Sequence, residues 1–225
     1  MPVSEVLKAP FIPEQYYHVV FKSIDGVLLF RDENDYAVFL ERLAQFTGFV
    51  FDTWAYCQLS NHAHFIMKIK SLESILATLA VTDKSKQTTA MKKLQEEPNG
   101  PNLFDAMLER QINSFMVSYA NYSKNKYHHQ GGLFQKPFKR IQIDTDAYLQ
   151  MAIIYVHANT VKHKTFNNYK TYFHSSYSAI IKSNGFYCAA TVVVEFFGGL
   201  NKFVLLHEEQ INYYYQKGFP NSKLE

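Results

Sequence analysis

Leu59-Ser60-Asn61-His62-Ala63-His64-Phe65-Ile66-Met67-Lys68-Ile69 is the stretch from which the chain is best read. From Phe65 onward, Phe65, Met67 and Ile69 share one side, and His64, Ile66 and Lys68 share the other. A period of two is that of a β-strand with one buried face. His62 and His64 then leave the strand on the same side. Two rings so placed are either ligands of one metal ion or histidines satisfied by backbone carbonyls. Two ligands are too few for most bound metals, so the metal reading requires a third from elsewhere in the chain.

Working outward, Gln15-Tyr16-Tyr17-His18-Val19-Val20-Phe21-Lys22 predicts a first strand, rich in aromatic and β-branched residues. Asp32, with Asp35 three positions later, caps a helix that carries Tyr36, Phe39, Leu40, Leu43 and Phe46 and ends at Gly48. A second strand spans 49–57, directly before the histidine strand. Residues 71–80 predict a short helix, and the polar stretch 81–101 a connection or partial helix. The segment 102–124 is helical, with Phe104, Met107, Leu108, Ile112, Phe115 and Tyr119 on its buried stripe. A strand over 134–143 follows the loop His128-His129-Gln130-Gly131-Gly132, and Asp144 or Thr145 caps a last helix through Asn159. Strand-helix-strand-strand-helix-strand is the split βαβ pattern, so the expected fold is α+β and ferredoxin-like. It has a four- to five-stranded antiparallel sheet with helices on one face and the other face open. The domain is expected over 1–172, with a C-terminal extension over 173–225 that holds an apolar run at 191–197 and a helix at 201–215.

With 47% hydrophobic and 16% aromatic residues in 225, the chain is neither disordered nor short of a core. No apolar run is long enough to span a bilayer, and the first residues lack a basic-then-apolar leader; the expected location is cytoplasmic, with no membrane contact. Cys57 and Cys188 make no zinc-binding pair. The net charge of +3 is unevenly spread: from Arg110 to Val194 the only acids are Asp144 and Asp146, and the segment carries +8. Aromatic residues are interleaved with these cations, a composition that suits either a single-stranded nucleic-acid surface or a solvated basic face over core rings.

On the last helix, Leu149, Ile153 and Val156 share the side that packs on the sheet. Tyr155 and Asn159 are four apart and therefore neighbours on the helix surface. The Asn159 amide oxygen can be a third ligand for a hard divalent cation such as Mg2+ or Mn2+. The Tyr155 hydroxyl can be a nucleophile, with Tyr148 as its nearest competitor. A zinc hydrolase is disfavoured by the lack of Asp, Glu or Cys in ligand register on the histidine strand.

These residues together resemble the REP-associated tyrosine transposase family, an insertion-sequence-200-like branch of the single-tyrosine HUH transposases. The resemblance runs over 15–178 in order: Tyr17-His18-Val19, Leu29-Phe30-Arg31-Asp32-Glu33-Asn34-Asp35-Tyr36, Ala55-Tyr56-Cys57, Asn61-His62-Ala63-His64, Gly132-Leu133-Phe134-Gln135-Lys136-Pro137-Phe138-Lys139, Tyr155-Val156-His157-Ala158-Asn159 and Ser175-Ser176-Tyr177-Ser178. It implies that His62, His64 and Asn159 bind a divalent metal, Mg2+ or Mn2+, and that Tyr155 is the nucleophile of a strand transferase. Such an enzyme cleaves and rejoins single-stranded DNA at hairpin repeats through a 5′-phosphotyrosine, as a monomer or a homodimer. Arg31, Phe134, Lys136, Lys139, Arg140, Lys162 and Lys164 are the expected DNA contacts. The alternative is a domesticated single-stranded nucleic-acid-binding protein that has kept the fold and lost the chemistry. The chain departs from the family at Thr160, where proline usually follows the asparagine, and at Leu59-Ser60, where methionine-proline is usual.

Overall fold

The computed structural model describes residues 8–24, 26–163, 168–183 and 185–217. Four strands, β1 (Tyr16–Lys22), β2 (Phe51–Leu59), β3 (His62–Ile69) and β4 (Lys139–Ile143), form one antiparallel sheet in the order β2-β3-β1-β4. That order is the split βαβ arrangement expected from the sequence. The first helix, α1 (Glu33–Thr47), opens on a reciprocal capping box between Asp32 and Asp35, a cap worth about 1 kcal/mol. It closes at Gly48, whose φ of −64° is ordinary. The glycine is needed there because a Cβ would lie 2.6 Å from the Ala44 carbonyl oxygen. After the hairpin come α2 (Leu72–Val81), α3 (Thr89–Glu96) and the long α4 (Leu103–Tyr127).

The period-two pattern sorts the sheet into two faces. Tyr17, Val19, Phe21, Phe65, Met67 and Ile69 lie in one core with Phe39 and Leu43 of α1 and Ile112 and Phe115 of α4. The two helices of the split unit thus cover this face, as expected. On the other face, α5 (Asp146–Lys162) lies over β2 and β3. Ile66, Cys57 and Leu59 form a second core there with Leu149, Ile153 and Val156 of α5. A bulge in β2 between Thr53 and Ala55 turns Trp54 into this second core.

The C-terminal elements α6 (Ser176–Ile181), α7 (Ala190–Phe196) and α8 (Leu200–Lys217) complete the second core with Tyr177, Ile180, Val193, Phe203 and Ile211. Gly198 and Gly199, with φ of +78° and +110°, make the turn between α7 and α8. The face expected to be open is therefore covered along β2 and β3, and what remains is a cavity beside α5. No single helix among the described residues is long and apolar enough to cross a membrane.

Candidate metal and nucleic-acid site

The cavity holds about 350 Å³ and is lined by Val20 and Lys22 of β1, His62 and His64 of β3, Gln135 and the 137–139 segment, Tyr155 of α5 and His163 just beyond it. Each strand delivers its residues by alternation. Lys22 stands opposite His62 and Val20 opposite His64 in the β1–β3 register, while Val20 also stands opposite Lys139 in β4. Lys22 and Lys139 bring positive charge, and the described residues of the lining include no carboxylate. Such a pocket suits a phosphate.

Both histidines of the motif are oriented by a second residue. His62 Nδ1 lies 2.7 Å from Asn61 Oδ1. An amide oxygen only accepts, so Nδ1 carries the hydrogen and Nε2 keeps its lone pair. His64 Nδ1 lies 2.9 Å from Nε2 of His18, which occupies the same face of β1. His64 Nε2 and His18 Nδ1 are buried and have no partner among the described residues. If His64 donates from Nδ1, its Nε2 lone pair is presented with nothing to receive it, which is the tautomer a metal ion selects. Burial, followed by the nearby Lys162 charge, lowers the pKa of His18 to about 3. Burial first, then His163, Lys22 and Lys162, does the same for His62, and His64 falls well below its ordinary range. The rings are therefore neutral at physiological pH, the form that ligates metal.

The first turn of α5 is capped by the Thr145 side chain, which accepts from the Tyr148 amide, and its last turn reaches the site. Tyr155 is 1% exposed, with its ring 6.3 Å from those of His18 and His64. Lys162 Nζ donates to the Tyr155 hydroxyl at 2.7 Å, and burial lowers the lysine pKa. Asn159 Nδ2 donates to the Tyr155 carbonyl, leaving Asn159 Oδ1 buried without a partner. An amide oxygen and an imidazole nitrogen that are both buried and unsatisfied among the described residues are of the kind a bound cation takes up. His163 adds a ring 4.7 Å from that of His62, and ligand atoms of His62, His64 and His163 lie within 4.8 Å of one another.

Of the residues expected from the sequence, His62, His64, Tyr155 and Lys139 meet in the cavity, with Lys162 and Asn159 beside Tyr155. Tyr148 sits two turns away against the second core. Two expected DNA contacts are turned inward and are corrected here. Phe134 packs on Phe21, Phe115 and Tyr119. Arg140 alternates to the opposite face of β4 from Lys139, where it pairs with Asp105 and donates to the Ala9 carbonyl. Lys136 is exposed on the α4 side, outside the cavity. Arg31 stacks on the Tyr127 ring at 4.4 Å. Lys164 falls outside the described residues. The sequence reading missed His18, Lys22 and His163. Their signals were register opposite the His-Ala-His strand and an i+4 spacing from Asn159.

A solved structure of a REP-associated tyrosine transposase bound to a REP hairpin matches 76% of this chain and 82% of its own, with a TM-score of 0.51 and 11% sequence identity. The two chains share a fold. At that identity the likeness is one of architecture, and no family model or curated protein matches the chain. The shared architecture is the four-stranded sheet flanked by helices.

Proposed function

We propose that this protein is a metal-dependent strand transferase acting on single-stranded DNA, with Tyr155 as nucleophile and His62, His64 and Asn159 as metal ligands. The observation that carries this reading is the meeting of Tyr155 with His62 and His64 in one cavity that Lys22 and Lys139 also line. In support, the shared fold is that of a transposase bound to a DNA hairpin, and a hairpin repeat is the substrate proposed here. When bound, a divalent cation would polarise the scissile phosphate and stabilise the departing oxygen. The Tyr155 oxygen forms a bond to phosphorus as the bond from phosphorus to the 3′ oxygen breaks. The phenol gives up its proton to solvent, and the 3′ oxygen takes one from solvent. Lys162 holds the attacking oxygen and places a positive charge beside it as negative charge develops. Lys22 and Lys139 receive the flanking phosphates, with Lys136 and Arg31 farther out and Lys164 retained on charge alone.

One observation favours a second reading. Tyr155 is 1% exposed and its hydroxyl is covered by Lys162, as suits a protein that binds DNA without cutting it. The deciding experiment combines the full chain with a labelled hairpin from the repeats flanking its own gene, and a divalent cation, on a denaturing gel. A covalent adduct that Tyr155→Phe abolishes and Tyr148→Phe retains is the expected result. Binding without an adduct would establish the second reading instead.

A further inference from the structure

We propose that His163 is a third imidazole ligand, making the site a nitrogen-rich centre that prefers cobalt, nickel or zinc to magnesium. This deepens the proposed function and rests on it for placing the metal at His62 and His64. Three features carry the inference. First, ligand atoms of His62, His64 and His163 already lie within 4.8 Å of one another, a spacing one ion can bridge. Secondly, His163 is fixed to the helix that holds Tyr155, since its backbone amide donates to the Asn159 carbonyl at 3.0 Å. Asn159 and His163 are four apart, a spacing that places the two residues on the same side of the helix end.

Thirdly, the described residues lining the cavity include no carboxylate. Magnesium takes oxygen ligands and binds through carboxylates and water, whereas imidazole suits zinc, nickel, iron and copper. Three imidazoles and one amide oxygen provide no anionic ligand for magnesium. They also leave the cation's two positive charges uncompensated, free to act on a phosphate oxygen. An exposed histidine ending a helix can instead be a mere dipole cap, a role that needs only its positive charge. His163, however, brings its ring to 4.7 Å from that of His62, among the other candidate ligands.

The test is calorimetric titration of the full chain, without DNA, with Co2+, Zn2+ and Mg2+. Co2+ and Zn2+ are expected to bind at least about a hundredfold more tightly than Mg2+. His163→Ala is expected to weaken Co2+ binding at least about tenfold. His163→Phe keeps the ring volume without the nitrogens and is expected to do the same, so the result survives a folding defect in the alanine variant. Equal Co2+ affinity in wild type and both variants would overturn the proposal, as would Mg2+ binding as tightly as Co2+ or no cation binding at all. The adduct gel separates the two readings. An adduct with Co2+ affinity indifferent to His163 removes only the third imidazole. No adduct with Co2+ held through His163 removes only the strand transfer.

Discussion

His18 touches no expected substrate, yet its ring bears on which nitrogen His64 offers. Its Nε2 is the partner of His64 Nδ1, and both rings are fully or almost fully buried. His18→Phe preserves a ring at that place and removes that partner. It leaves His64 Nδ1 without a partner, at a cost of about 1–3 kcal/mol. It also frees the His64 ring to take the wrong tautomer. Metal affinity is expected to fall about 10- to 100-fold, the usual cost of losing an outer partner of a ligating histidine. Thermal melting with and without Co2+ checks both parts: the variant should melt lower, and added metal should raise its melting point less than it raises that of wild type. Much of this residue-level arrangement was legible. The period of two put His62 and His64 on one side, and helix spacing put Tyr155 beside Asn159. Arg140 was misread because neighbouring residues of a strand face opposite ways, so Lys139 and Arg140 cannot both reach one surface. Phe134 was misread because an aromatic ring among lysines has the same composition whether it stacks on a base or fills a core.

Among the elements, α5 decides the site, and its end decides α5. Proline in a helix interior removes an amide donor and clashes with the preceding turn. Thr160, standing where the resembled family has proline, keeps that donor, and the helix continues through Lys162. The continuation brings Lys162 to the Tyr155 hydroxyl and His163 to His62. Thr160→Pro is therefore expected to cost about 3 kcal/mol. It should also loosen the last turn enough to weaken Co2+ binding, as His163→Ala does, although residue 160 offers no ligand itself. Denaturant melts and the same calorimetry check this; unchanged metal affinity would mean that the last turn is held by packing rather than by its hydrogen bonds. Elements with strong periodicity or caps were legible: α1 from its Asp32 box, α4 from its stripe, and the hairpin of β2 and β3. The ladder of β4 is shorter than the strand expected over 134–143, because Phe134 makes only an isolated bridge with Ser23 before the ladder begins at Lys139. The polar stretch containing α3 has only a few apolar residues, among them the buried Met91 and Leu94, too few to fix a helix in advance.

At the scale of the whole molecule, the sheet is held between two cores, and the second depends on the C-terminal helices. Their link to α5 is a buried polar chain. The Tyr56 amide donates to Ser176 Oγ, which lies 2.8 Å from His157 Nε2, and His157 Nδ1 lies 2.8 Å from His207 Nε2. His207 Nδ1 donates to the Phe203 carbonyl, which leaves its Nε2 to accept from His157 Nδ1–H, and His157 Nε2 in turn accepts from the Ser176 hydroxyl. Sequence could not reveal this docking, because its partners lie 19 and 50 residues apart and His207 interrupts the apolar stripe of its own helix. Every donor in the chain is used when both rings are neutral, so a proton on either ring breaks a link. Burial accordingly lowers the pKa of His207 to about 3 and that of His157 well below its ordinary range. His207 takes up a proton near pH 6.5 when unfolded and only near pH 3 when folded, so its contribution to stability is complete above pH 6.5 and is lost as pH falls from there toward 3. His157, also held well below its ordinary range, acts in the same direction. By pH 5 the loss is about 2 kcal/mol for His207 alone. Urea unfolding at pH 7.5 and pH 5 is expected to show at least that difference. The double substitution His157→Phe with His207→Leu removes both titrating groups and should shrink the difference by at least about 2 kcal/mol. An equal fall in stability in wild type and the double variant would place the acid sensitivity elsewhere, for example in His18, His62 and His64.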